Sequence, residues 1–220
     1  LRHNLRITVN LAPADFKKEG AGYDLAIAVG FLVATGQLFP FPAEDKLFLG
    51  ELALDGSIRR ISGVLPIVEM ASRGTYKTIF LPKENIAEAS FFKNVEIIPV
   101  PNLTELVLHL EGKRKIEPAG YKNLTEIFGT AVSEFDVIDV SGLESAKRAL
   151  EIAASGGHNI LLEGFPGTGK TLLAQSIPSI LPRLSLPEAI EVTKIYSVSG
   201  LLTASDPIIK LRPFRAPHHT

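Results

Sequence analysis

The chain has 220 residues, 23 Lys and Arg against 24 Asp and Glu, a formal net charge of −1, 45% apolar residues and no cysteine. That balance excludes a disordered polyelectrolyte and any disulfide or thiolate-metal framework, and it leaves nucleic-acid contact to a local patch instead of a global field. The longest apolar run, Leu25–Ala34, is about half of the ~20 residues that a bilayer crossing needs, so no membrane partner is expected and the cytoplasm is the expected compartment.

The length gives one or two domains of roughly 100–150 residues. Residue 1 is Leu and the chain enters a strand pattern at Arg6–Leu11 almost at once, so a fragment clipped at the front is expected. A buried helix follows over 24–35, ended by the prolines of "GQLFPFP". In "KLFLGELALDGSIRR", Asp55-Gly56 between two apolar-rich runs predicts a hairpin. A helix over 64–73 tolerates Pro66 in its first turn. The strand 77–82, a short helix near 84–90, the strand 95–100 and the helix 103–111 complete a first block with no regular alternation, which reads as α+β. Residues 112–134 are rich in charge, Gly and Pro and are expected to be a linker. The second block, 135–220, is predicted as a short strand near Val137, a helix over 143–154, the strand Asn159–Glu163, a glycine loop and a helix from Gly169.

That loop carries the chemistry. Gly164, Phe165, Pro166, Gly167, Thr168, Gly169, Lys170 and Thr171 fit G-x-x-x-x-G-K-[ST]. Glycines let successive backbone N–H groups converge on phosphate oxygens, the lysine ammonium neutralises the terminal phosphates, and the Thr171 hydroxyl suits Mg²⁺. The flanking "NILLE" and "KTLLAQSI" supply the strand and helix the motif requires, so ATP and Mg²⁺ are the expected cofactors. Hydrolysis also needs a carboxylate at the end of an apolar strand. After Thr171 the acids are Glu188, Glu191 and Asp206, and none follows four consecutive apolar residues. No catalytic residue is therefore assigned.

"VSGLESAKRALEIAASGGHNILLEGFPGTGKTLLAQSIPSILP" with "RPFRAPHHT" resembles the magnesium-chelatase-like branch of the AAA+ ATPases, and more closely its ComM/YifB subfamily. "ITVNLAPADFKKEGAGYDLAIAVGFLVATGQL" and "FLGELALDGSIRRISGVLPIVEMA" resemble the domain that precedes the ATPase there. The resemblance implies an α+β Lon-protease-like domain over 1–111, a linker over 112–134, and the first part of an α/β P-loop NTPase (AAA+) domain over 135–220. It implies an ATP-driven ring, a homo-hexamer, acting on DNA in branch migration during recombination of transforming DNA. By the same route Ser141 and Gly142 fall where AAA+ proteins line the adenine pocket. The competing functions are a metal-chelatase motor and a non-enzymatic scaffold.

The first block also resembles the proteolytic domain of Lon-type proteases, whose Ser-Lys dyad uses lysine to deprotonate serine. On the quoted motifs Gly22 stands at the serine position and Leu65 at the lysine position, which implies an inactive protease. Ser62 with Lys77 is the alternative pair. Among the remaining candidates, "KLRPFRAPHH" places Lys210, Arg212 and Arg215 around Phe214, a mixture suited to DNA or to a ring contact. His218-His219 has no companion ligand in the sequence and reads as non-metal, and "GKRK" at 112–115 reads as a solvated linker.

Overall fold

Apolar residues in "TIFLP" are consecutive, not alternating, as a strand covered on both faces requires. The computed structural model describes residues 8–10, 20–124, 135–203 and 205–216. The chain divides into two units, Leu1–Lys122 with Lys194–Pro207, and Asn123–Thr193 with Ile208–Thr220. In the first, the elements run α1 (Asp24–Ala34), β1 (Lys46–Phe48), β2 (Glu51–Leu52), β3 (Ile58–Arg59), α2 (Val64–Arg73), β4 (Thr78–Pro82), α3 (Ile86–Ala89), β5 (Glu96–Val100) and α4 (Leu103–Leu110). The strand expected over 6–11 falls partly outside the described residues, and 8–10 are not in a strand.

β1, β4 and β5 form a parallel sheet in the order β1-β4-β5, with Leu47 opposite Ile79 and Ile79 opposite Ile97. Ile79, Leu81 and Ile97 join Val64, Val68 and Ala71 of α2 in one core, whereas Phe80, Ile98 and Val100 join Leu25 and Val29 of α1 and Leu106 of α4 in another. The period of two along each strand sends neighbouring side chains to opposite faces. Helices on both sides of a parallel sheet are what the α+β reading did not foresee; its strands and helices are present, but the three longest strands are connected as crossovers. Each buried Leu, Ile, Val or Phe contributes about 1.5–3 kcal/mol.

The Asp55-Gly56 hairpin forms as expected. Glu51 pairs with Arg59 and Leu52 with Ile58, Gly56 has φ +83°, and the Asp55 carboxylate accepts from Ser57 N and Oγ at 2.9 and 2.6 Å. Gly50 locks the start of α1 to the sheet: its N–H donates to Gly22 O at 3.1 Å and its carbonyl accepts from Leu25 N at 3.2 Å. Asp24, in the first turn of α1, accepts a hydrogen bond from Leu52 N at 3.3 Å and so also ties α1 to β2.

Two boundaries differ from expectation. Residues 113–122, placed in the linker by composition, are tied to the first unit by Ala119 N to Ile97 O, Lys122 N to Ser90 O and Ile116 N to His109 Nδ1. Residues 194–207 also belong there. Ser197 Oγ donates to the buried Glu88 carboxylate at 2.8 Å and accepts from Leu65 N at 3.3 Å, while Asn85 Nδ2 donates to the other Glu88 oxygen at 2.6 Å. Side-chain hydrogen bonds of this kind leave no periodic signal in a sequence.

The second unit contains a 3₁₀ turn at Val137–Asp139, then α5 (Glu144–Gly156), α6 (Lys170–Gln175), α7 (Ile177–Ile180) and α8 (Leu186–Val198), of which the residues from Lys194 on lie in the first unit. The turn replaces the strand expected near Val137, because the Asp136 carboxylate caps it by accepting from Ile138 N at 3.1 Å. Among the described residues of this unit no strand is paired, so Asn159–Glu163 is irregular: an apolar run becomes a strand only beside a hydrogen-bonding neighbour. Val140, Leu150 and Leu173 are the core, with Ile160, Leu162 and Ile177 against them. α8 was not foreseen. Among the described residues no helix is long and apolar enough to cross a membrane.

Gly50 supplies the first prediction. Its φ is +153° and an added Cβ would stand 2.5 Å from Ile58 Cγ2. Gly50→Ala is expected to lower stability by about 1–3 kcal/mol, read as a shifted midpoint in urea unfolding.

Candidate nucleotide-binding loop

The loop at 164–171 joins the Ile160–Leu162 segment to α6, both fixed by the core around Leu173. Its three glycines have positive φ: Gly164 +155°, Gly167 +79° and Gly169 +84°. Side chains rarely adopt these angles, so the backbone path itself demands glycine at all three. Gly169 is the residue before α6. Lys170 turns back across the loop, its Nζ donating to Gly164 O at 2.8 Å and Phe165 O at 2.7 Å, with Thr168 Oγ1 at 3.3 Å. Thr168 Oγ1 itself donates to Phe165 O at 2.9 Å. The ammonium is thus inside the loop curve, close to the backbone that a phosphate chain would follow. Thr171 is exposed at the start of α6.

Beside the loop lies a cavity of about 460 Å³ lined by Leu143, Ala146, Ala149, Ile160 and Leu162, with Gly164, Thr168 and Lys170 at its polar end. Its lining fits a flat apolar ring next to a charged tail. Ser141 and Gly142 are exposed and are not among the residues lining it; Leu143, directly after them, is. Leu143 has φ +58°, the one non-glycine residue with positive φ among the described residues, an uncommon conformation for a bulky side chain and a costly one.

The basic segment presents a different picture. Glu188 caps the start of α8 with one half of a capping box: Ser185 N and Oγ donate to Glu188 Oε2 at 2.7 and 2.8 Å. Glu188 Oε1 accepts from an Arg212 terminal nitrogen at 3.0 Å, and Arg212 Nε donates to Pro182 O at 2.8 Å. The Ser185 hydrogen bonds, followed by Arg212, pull the Glu188 carboxyl down to about 2. One of the three acids after the loop is therefore occupied in holding a helix end. Ser185-x-x-Glu188 was the signal in the sequence that could have found α8. Lys210 is half-buried and Arg215 exposed, beside Phe214 at 42% exposure. His218 and His219 lie outside the described residues. In "GKRK", Lys113 pairs with Glu111 at 2.7 Å and Arg114 lies 4.0 Å from Glu105, in keeping with a solvated charge run.

A family model described as magnesium chelatase, subunit ChlI, matches residues 136–220, and one described as subunit ChlI of Mg-chelatase matches residues 2–85. The chain is similar to the competence protein ComM of Haemophilus influenzae, 40% identical over 222 residues, 98% of this chain and 42% of that protein. It is similar to the uncharacterised protein YifB of Escherichia coli K12, 40% identical over 215 residues, 98% of this chain and 41% of that protein. The chain belongs to the ComM/YifB group of the magnesium-chelatase-like family. It spans about two fifths of the length of these relatives. A partial likeness, 30% over 106 residues, 48% of this chain and 16% of the other, links it to an archaeal Lon protease of Methanocaldococcus jannaschii.

At the Lon-like positions of this ComM/YifB-type chain, Leu65 is buried at 2% exposure on α2, and an added Cβ on Gly22 would meet Ile61 Cδ1 at 3.6 Å. The side chain nearest to Gly22 is thus apolar. Ser62 lies against Gly200, while Lys77 lies beside Asp45.

The Glu188 shift gives a pH prediction. Its carboxyl is lowered on folding, so its contribution is present above its ordinary 4.5 and is lost as pH falls through about 2. Helicity measured by circular dichroism is expected to fall across that window in the native chain, and Glu188→Gln is expected to flatten the dependence.

Proposed function

We propose that this chain is the nucleotide-binding portion of an ATP-driven motor of the ComM type, acting on DNA in branch migration during recombination of transforming DNA. The observation that supports it most is the ammonium of Lys170 seated inside a loop whose three glycines have the positive φ angles of a phosphate cradle. The residues present fit a magnesium nucleotide. Loop amides from Gly164 to Gly169 and the Lys170 ammonium would hold the polyphosphate, Thr171 would ligate Mg²⁺, and the cavity behind Leu143 would take the base. Bound ATP supplies a phosphoanhydride whose hydrolysis drives motion.

Within that reading the chain's own groups bind and orient. Lys170 exchanges its hydrogen bonds with Gly164 O and Phe165 O for phosphate oxygens, a trade of neutral acceptors for charged ones that favours the bound form. Glu188 is committed to the cap of α8, and a metal-orienting carboxylate is proposed to come from the longer protein, as is the homo-hexameric ring. The Lon-like unit is proposed to be proteolytically silent, with Gly22 and Leu65 at the dyad positions, and the whole to work in the cytoplasm. The match of residues 136–220 to a magnesium-chelatase family favours a second reading, a chelatase-type subunit driving metal insertion; likeness to ComM and YifB over 98% of the chain favours the DNA motor.

Lys170→Ala tests the loop. Titration of a fluorescent ATP analogue in Mg²⁺ is expected to show at least a tenfold weaker affinity for the variant, while the far-ultraviolet spectrum stays unchanged. Equal affinity of the two proteins would reject the site.

A further inference from the structure

Of the three cations in the basic segment, Arg212 differs from its neighbours. Its guanidinium fork is engaged on two sides, with Pro182 O at 2.8 Å and Glu188 Oε1 at 3.0 Å. A few residues earlier the same segment is fixed again: Ile208 is 2% exposed, and Ile209 N donates at 3.0 Å to the hydroxyl of Thr193, a residue with no exposure at all. Residues 208–212 therefore run back along α8 from Thr193 to Glu188, pinned at both ends. Pro213 follows at once. It lacks an N–H and biases Arg212 to an extended backbone, and residues 212–216 form no helix or strand. Beyond it Phe214 is 42% exposed and Arg215 is exposed.

We propose that Arg212 is a positioning residue that clamps this segment to α8, and that Phe214, Arg215 and Lys210 are the groups presented to nucleic acid with unpaired, accessible bases. This rests on the DNA reading above and divides its candidate contacts into two classes. An exposed aromatic ring next to an exposed guanidinium suits a base stacked on the ring and a phosphate on the cation, a pairing that duplex DNA, with its bases stacked inside, does not offer. A guanidinium already bridging a carboxylate and a carbonyl has to break both bonds before it can reach a phosphate.

The sign of one substitution separates clamp from contact. If Arg212 met phosphate directly, neutralising the neighbouring Glu188 would tighten binding; if Arg212 is a clamp, the same change loosens the segment and weakens binding. The experiment is fluorescence anisotropy of a labelled single-stranded oligonucleotide and its duplex over a salt series, with the full chain. Lys210→Gln and Arg215→Gln are each expected to shrink the slope of log K against log salt for the single strand by about 0.7–1. Arg212→Gln and Glu188→Gln are both expected to weaken binding about threefold at every salt concentration with the slope unchanged. Phe214→Ala is expected to weaken the single strand and leave the duplex unaffected. Tighter binding by Glu188→Gln, or a reduced slope in Arg212→Gln, would overturn the clamp.

Amide exchange at Ile209 keeps the two ideas apart. If the native chain binds no oligonucleotide, the DNA reading fails and takes the roles of Lys210, Phe214 and Arg215 with it. The clamp then stands on exchange that is at least tenfold faster in Arg212→Gln than in the native chain, and it falls if the two rates are equal.

Discussion

The hydrogen bonds from the Lys170 ammonium to the carbonyls of Gly164 and Phe165 are the constraint on which the second unit's chemistry depends. An ammonium is a compact, strongly hydrated charge. Curling a backbone around it requires residues free to adopt positive φ, and the chain places glycine at 164, 167 and 169. The curl in turn requires fixed ends. Leu173 on α6 and Ile160 and Leu162 before the loop provide them by packing with Val140 and Leu150. Ile160, Leu162 and Leu173 also line the adjacent cavity, so the packing that fixes the loop also shapes the space beside it.

The first unit depends on a different constraint. A parallel strand buried on both faces needs a helix on each, and α1, α2 and α4 supply the cover. Once that sandwich is in place, Gly50 and Asp24 hold the segment from Gly22 into α1 against the hairpin, and the buried carboxylate of Glu88 holds the turn around Asn85 and the end of α8. A carboxylate taken out of water is costly unless hydrogen-bonded, and here both oxygens are. The unit is thus stabilised by polar contacts among residues far apart in sequence.

Much of this was legible because it is local. Consecutive apolar residues mark β4, the Asp55-Gly56 pair marks the hairpin, and the spacing of glycines and lysine marks the loop. What was not legible depended on partners distant in sequence. The parallel connection of the sheet is set by packing, not by any single strand. Residues 113–122 look like a linker in composition, yet Ile116 and Ala119 pack on the first unit. Asn159–Glu163 has a strand's sequence without a strand's neighbour. Arg212 groups with Lys210 and Arg215 by charge alone, which a sequence shows, whereas the carboxylate that holds it, Glu188, is 24 residues away. The Ser185–Glu188 pair that caps the start of α8 is local, three residues apart, and is legible in the sequence.

The central claim is that affinity for nucleotide comes from polyphosphate on loop amides and a single ammonium, with the base a secondary contact. Calorimetric titration of the chain with ATP, ADP and AMP at constant Mg²⁺ tests this most directly. Affinity is expected to fall with each phosphate removed, until AMP gives no measurable heat. AMP binding as tightly as ATP would contradict it, since the cavity behind Leu143 and not the loop would then hold the ligand.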